Sequence, residues 1–474
     1  MLRNFTKSIF IYGLAPSFGK FIGIFLIPIY TRVFNPSEYG VIDLFNVIIY
    51  LLVIFANLEI HSGMGRYFNL TKVTKERQVL VSTAFWNEII LSFVVILFAS
   101  IFSKNINSRL LHTLEYNNVF LIALLWLPVS CIFTYLSVVM RYEKRASLFL
   151  IVALIQIIVK VSVSLVTILV LKWGVAGIFI GQIAGDLIGS LLLLYFLKRY
   201  IIFAYDINIL RKLITFSLPL IPGVIVFYFN QSLNRLVMLK YLSLEAIGLY
   251  AIALKVSSIF VLIMSAFRMA WEPFMYENLE RDDQKKIFIC IYKLAIISLS
   301  GLVISITLFS KEILMVLTSE KYFSAYPLIG FLSIFTVLTI LRLIVGIGPK
   351  ITKKTFYDSF ASITGVVVNV VAMFIFIPKF GIMGAGYGLC LGGLVTFVLN
   401  WYFTSKLYLI NYPKVLTIAL VFLSFFVAFF NIKYCMSFTL KAIFVIGLLL
   451  SSLFYYRGRI HKIYSNLVFN RYKR

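Results

Sequence analysis

Between Lys172 and Leu197 the chain reads KWGVAGIFIGQIAGDLIGSLLLLYFL. From Val175 onward this is an apolar run of about 20 residues, the length an α-helix needs to cross a bilayer. It carries one charge, Asp186. Glycine occupies every fourth position, at Gly177, Gly181, Gly185 and Gly189. Such a ladder gives a helix one smooth face, against which a neighbouring helix can pack closely. The pattern returns further along: Lys172-Trp173-Gly174 recurs as Lys379-Phe380-Gly381, followed by Gly384, Gly388 and Gly392. At the same offset of about 208 residues, Arg141, Lys144 and Arg145 recur as Lys350, Lys353 and Lys354. Pro36-Ser37-Glu38-Tyr39-Gly40 has a looser counterpart in Leu244-Glu245-Ala246-Ile247-Gly248. Four elements with one offset mark an internal repeat. Each copy holds six apolar runs, an even number, so both copies enter the membrane from the same side. Parallel repeats of this kind are a transporter architecture, with the substrate site between the halves near midplane.

The composition agrees. Of 474 residues, 61% are hydrophobic and 13% charged, against about 45–50% and 25% in a soluble domain. The apolar runs are continuous, which disfavours the alternating strands of a β-barrel. Fourteen candidate spans follow, the first at about 9–31 and the last at about 438–456. The expected fold is all-α: an integral membrane protein with about fourteen transmembrane helices. Two pseudo-symmetric six-helix bundles, 1–205 and 206–410, are followed by an appended helix pair and basic tail, 411–474. The first run lacks a small-residue cleavage site and reads as a retained span.

Lys and Arg number 44 against 18 Asp and Glu, a net charge of +26. With the N-terminus inside and alternating spans, 29 of the 44 fall on the inner side, nine outside and six within spans. Cytoplasmic loops retain Lys and Arg, so both termini are expected in the cytoplasm and no nucleic-acid partner is needed. Cys131, Cys290, Cys390 and Cys435 form no CxxC pair, and His61, His112 and His461 are isolated; neither a disulfide framework nor a metal site is expected. The hydrophilic loops are too short for a folded catalytic domain, so no catalytic residues and no enzyme activity are expected.

Charges inside spans are costly, by at least about 2.5–3.5 kcal/mol each. The cations are Lys20, Lys160, Arg235 and Lys255, and the acids Glu88 and Asp186. Lys441, near a helix end, is expected to snorkel to the interface. Helical spacing places Gln156, Lys160 and Ser164 on one face, Gln182, Asp186 and Ser190 on another, and sets Asn230 four residues before Asn234. These stripes suit a wetted lumen; buried ion pairs, Lys160 with Asp186 or Lys20 with Glu88, are the structural alternative. Four bases outnumber two acids, and the surplus points to an anionic substrate, for which phosphate fits. The two acids are candidates for coupling to a proton or sodium gradient, and no other cofactor is expected.

Ile27-Pro28-Ile29-Tyr30-Thr31-Arg32, the Pro36–Gly40 motif, Gly248-Leu249-Tyr250-Ala251 running into Lys255, and Ala270-Trp271-Glu272-Pro273-Phe274 resemble the signature of polysaccharide (O-antigen type, Wzx-like) flippases. These belong to the multidrug/oligosaccharidyl-lipid/polysaccharide exporter superfamily. The resemblance spans the chain, though each motif is short. It implies a bacterial inner-membrane protein that carries a polyprenyl-pyrophosphate-linked oligosaccharide to the outer leaflet by alternating access. It also implies contact with membrane lipids, and a polysaccharide polymerase and chain-length proteins as partners. Lys20 and Lys255 fall at places comparable to the cavity arginines of related lipid II flippases; Lys keeps the charge but loses the bidentate fork. On this reading Lys20, Lys160, Arg235 and Lys255 bind the anionic headgroup, and Asn230, Asn234, Gln156 and Gln182 line the cavity. The alternatives are an ion-coupled multidrug exporter of the same superfamily, for which an acidic cavity would suit cationic drugs better, and a membrane polysaccharide polymerase or glycosyltransferase.

Overall fold

The computed structural model describes Gly19 and residues 21–448, apart from residues 69, 72, 112, 280–282, 355 and 435; the side chains at 226, 227, 230, 231, 272 and 273 are likewise not described. Lys20 and most of the expected first span therefore lie outside the described residues. The last expected span is described only to Leu448.

Among the described residues, twelve helices are long and apolar enough to cross a membrane. The chain is a multi-pass, all-helical membrane protein. In order the helices are α1 (Ile27–Val33), α2 (Pro36–Asn57), α3 (Ile60–Phe68), α4 (Thr74–Ile101), α5 (Ser103–Leu110), α6 (Asn117–Tyr142) and α7 (Ala146–Leu165). Next come α8 (Val175–Leu197), α9 (Ile207–Ser217), α10 (Ile221–Tyr241), α11 (Leu244–Ser257), α12 (Ile259–Glu277) and α13 (Gln284–Leu308). The remainder are α14 (Ser310–Leu317), α15 (Tyr326–Val345), α16 (Gly348–Ile351), α17 (Phe356–Phe380), α18 (Ile382–Leu407) and α19 (Lys414–Lys433). A shorter apolar helix covers Phe438–Leu448.

By contacts the chain divides into two units, Met1–Ala251 and Ile252–Arg474. In the first, Ile60, Met64, Val81, Tyr135, Leu136, Val139 and Leu213 share one buried core. That core draws α9, which begins the second sequence copy, onto α3 and α4. Ser217 Oγ donates to Glu59 O at 2.9 Å, adding a polar link. In the second unit α15 is mostly buried, with Phe331, Leu338, Leu341 and Ile344 against Phe288, Tyr292 and Ile296. The appended helix α19 packs on α13 and α15. Asn431 Nδ2 donates to Thr307 O at 2.8 Å, and the hydroxyls of Tyr292 and Thr417 lie 2.9 Å apart.

The repeat is written into the backbone. Gly174 and Gly381, which begin α8 and α18, have φ/ψ of 58°/−139° and 56°/−136°, a region open to glycine because it has no Cβ. Lys144 and Lys353 both adopt left-handed φ, 58° and 59°, in matching turns where each amide donates to the residue three before it. In both copies the glycine ladder is a helix interface. A Cβ at Gly185 would lie 2.6 Å from Lys160 Cβ and 2.8 Å from Gln156 O, and one at Gly388 would lie 2.6 Å from Met373 Cγ. No side chain fits there, so α8 lies directly on α7 and α18 on α17.

Lys441 does not snorkel. Its side chain is buried and its Nζ lies 2.8 and 3.1 Å from the two carboxylate oxygens of Glu312. The ion pair satisfies the ammonium where it stands, so it has no need to reach water.

Candidate functional site

Three polar clusters lie inside the first unit. The first is built by α2, α6, α7 and α8. Asp186 accepts from Trp126 Nε1 and from Gln156 Nε2, each at 2.6 Å. The Lys160 ammonium sits 5.6 Å from the centre of the Trp126 ring, a cation–π distance. Asp186 thus takes hydrogen bonds from two neutral donors, one of which, Trp126, also has Lys160 over its ring. Gln182 Nε2 reaches Asn46 Oδ1 at 3.4 Å, while its own Oε1 is buried with no hydrogen-bond partner. The Tyr50 ring, half exposed, meets Trp126 edge-on. The expected stripe Gln156, Lys160, Ser164 is not wholly a wetted face. Its backbone rests against the ladder at Gly181 and Gly185, and Gln156 and Lys160 extend past it toward Asp186 and Trp126.

The second cluster joins α2, α10 and α11. Arg235 Nε lies 3.0 Å from Asp43 Oδ2, and its guanidinium stands 5.4 Å from the centre of the Tyr250 ring. Asn234 Nδ2 donates to Tyr250 Oη at 3.1 Å. The balance of four bases against two acids therefore omitted an acid: Asp43 compensates Arg235. Tyr228 Oη also donates to Val47 O, tying α10 to α2. Asn230 lies on α10, with its side chain outside the described residues.

The same helices meet at the paired motifs. Asn35 and Glu38 form a reciprocal capping box at the start of α2, with both bonds at 2.9 Å and Pro36 in the first turn. Ser243 Oγ accepts from Ala246 N at 3.4 Å ahead of α11, the matching position of the repeat. Gly40 then faces Leu244, and Gly248 faces Pro36: a Cβ on Gly40 would overlap the Leu244 carbonyl oxygen, and one on Gly248 the Pro36 carbonyl oxygen. The contact is reciprocal, residue for matching residue, as at an interface about a two-fold axis. The motif of Pro36–Gly40 is thus a cap followed by a crossing point.

The third cluster surrounds Glu88 on α4. The side chain is 1% exposed, and among the described residues neither carboxyl oxygen has a hydrogen-bond partner. Lys255 is half-buried near the end of α11, in the second unit, where Ser258 Oγ donates to its carbonyl at 2.6 Å. Among the described residues no group of three or more His, Cys, Asp or Glu could hold a metal ion.

Sequence reasoning missed Asp43, Asn46, Tyr50 and Trp126. The first three carried a usable signal, for spacings of three and four along α2 put them on one face. Trp126 had none, because an aromatic residue in an apolar span looks like packing until its N–H is seen to bond an acid.

In the first unit the described residues offer the Lys160 ammonium, an aromatic pair and an orphaned amide oxygen inside a membrane helix bundle. The arrangement can hold an anionic or hydroxyl-rich group. The fold is that of known exporters. The structure described as lipid II flippase MurJ in an inward closed conformation matches with TM-score 0.72 at 14% identity, covering 95% of this chain and 100% of that one. An inward-facing multidrug resistance MATE family transporter of the MOP superfamily matches with TM-score 0.59 at 15% identity, over 80% and 92%. The Vibrio cholerae MATE transporter VcmN D35N mutant matches with TM-score 0.55 at 13% identity, over 85% and 94%. No curated protein matches the sequence. Residues 29–327, more than half of the chain, match the family described as polysaccharide biosynthesis protein. The chain therefore belongs to that family and shares its fold with the solved MurJ and MATE structures.

Proposed function

We propose that the protein is a flippase, moving a polyprenyl-pyrophosphate-linked oligosaccharide across the bacterial inner membrane by alternating access, for O-antigen, capsule or similar surface polysaccharide. The observation that carries this reading is the family match over residues 29–327 of a chain made almost wholly of membrane helices. A polysaccharide pathway needs a transporter where its intermediate is made on one side of the membrane and used on the other. The likeness to a structure described as a lipid II flippase supports the same class.

The physical task is to take a charged, hydroxylated headgroup through hydrocarbon. Lys20, Lys160 and Lys255 supply cations that offset lost hydration of a pyrophosphate, while Gln156 and Gln182 offer amides to hydroxyls. Arg235, held by Asp43, serves chiefly to join α10 to α2. The prenyl chain stays in lipid. Both termini lie in the cytoplasm on this reading, and a polymerase and chain-length proteins act downstream as partners.

Deletion tests the proposal. The expected result is loss of surface glycan, accumulation of the lipid-linked precursor in the inner leaflet, and unchanged drug susceptibility. Normal glycan with drug hypersensitivity would replace it with the multidrug reading. Precursor that fails to be made at all would point to an enzyme.

A further inference from the structure

We propose that Glu88 is a proton-binding site, and that its proton is the one exchanged in the transport cycle. The second clause rests on the flippase reading above; the first does not.

Glu88 lies near the middle of α4 and is 1% exposed. Both of its oxygens are buried with no hydrogen-bond partner among the described residues. An ionised carboxylate cannot be held in such a place without donors or a counter-charge, because its lost hydration is replaced by nothing; the neutral acid loses far less. The groups around it sharpen this. From α6, Cys131 and Tyr135 lie within its electrostatic reach, but the Tyr135 hydroxyl donates to Val81 O at 2.7 Å. The charge that bears on Glu88 from the turn before α3 is a second acid, Glu59, which is engaged by Ser62 and His61. From the segment leading into α9, Tyr205 reaches the adjacent Asn87 at 3.5 Å. On α2, Asp43 is committed to Arg235 and Tyr50 to Trp126. On α5, Lys104 and Arg109 are both exposed.

A metal cation fits this site poorly, since hard cations take several oxygen ligands. A single proton fits it well. Asp186, a further acid within a span, is built differently: both its oxygens already accept fixed N–H donors. Asp186 is therefore anchored by donors, whereas Glu88 has none among the described residues.

Glu88→Gln keeps the shape of the neutral acid and so preserves the fold. Infrared difference spectra of the purified protein, without substrate, should show a protonated-carboxyl band near neutral pH. That band should vanish in Glu88→Gln and persist in Asp186→Asn. In proteoliposomes carrying a lipid-linked oligosaccharide, a pH gradient should accelerate flipping by the wild type. In Glu88→Gln the rates with and without the gradient should become equal. A spectrum in which Glu88→Gln removes no protonated band overturns the proposal. So does a Glu88→Gln variant that responds fully to the gradient. A wild type that shows the band yet flips no lipid-linked oligosaccharide refutes the flippase reading instead, leaving the proton site standing.

Discussion

Replacing Gly40 or Gly248 by alanine should weaken the protein, although alanine is the better helix former. Both glycines sit in the second turns of helices, where Gly→Ala alone gains up to about 1 kcal/mol. At the crossing, however, an added Cβ at Gly248 would lie 2.7 Å from the Pro36 carbonyl carbon, and one at Gly40 would lie 3.0 Å from the Leu244 carbonyl carbon. Ordinary carbon contacts need about 3.5–4.0 Å, so the two segments must separate by about 1 Å. The obstruction is backbone and cannot rotate aside, which places the cost toward the upper end of overpacking, about 3 kcal/mol. The net is a loss of about 2 kcal/mol for each variant. Because the contact is reciprocal, the separation forced by the first alanine makes room for the second. The double variant should therefore lose less than the sum, with a coupling of about 1 kcal/mol or more. Gly301 is the control: it lies inside α13 and its Cβ would meet nothing within 4 Å, so Gly301→Ala should be neutral or stabilising. Unfolding titrations with a denaturing detergent in mixed micelles measure all four. Gly40→Ala and Gly248→Ala variants as stable as Gly301→Ala, or losses that simply add, would refute the crossing.

Gly174→Ala and Gly381→Ala should each lose about 1–3 kcal/mol through backbone strain, and by similar amounts, since the two share one conformation; thermal midpoints of the purified variants check this. Arg235→Gln should cost about 3 kcal/mol by leaving Asp43 uncompensated, and adding Asp43→Asn should recover most of that loss in the same unfolding titration. His61, which lies outside the spans and whose Nδ1 is 2.8 Å from Asn57 Oδ1, titrates below its ordinary value of 6.5; burial lowers it most, Glu59 opposes and Arg141 adds to the lowering. The unfolded state then binds more protons, so stability should rise with pH across the window from the depressed folded value up to about 6.5 and be lost as pH falls through it. Thermal midpoints between about pH 7 and pH 5 should fall in the wild type and fall less in His61→Gln.

The legible part of the site followed from what is unusual in a membrane span. Lys160, Glu88 and Asp186 stood out because a charge among apolar residues costs energy wherever it lies. Their partners did not stand out. Arg235 was counted as surplus because Asp43 is 192 residues away in the chain, and Lys441 was expected at the interface because Glu312 is 129 residues away. Charge pairing is a distance in space, and helix spacing reports only neighbours on the same helix. The stripe of Gln156, Lys160 and Ser164 misled in the same way: its position on one face was right, but the Gly181–Gly185 face covering its backbone belongs to another helix.

By itself the sequence determined the helical class, most of the spans and the repeat. Lipid forces every backbone group to bond within its own helix, so span length and apolarity suffice, and matched glycines such as Gly174 and Gly381 recur because each copy needs the same backbone conformation. Only the tertiary structure decided which charges are neutralised, that α9 joins the core of the first unit, and that Gly40 meets Gly248. Those outcomes depend on which helix faces meet, and residues far apart along a chain acquire a distance only when it folds.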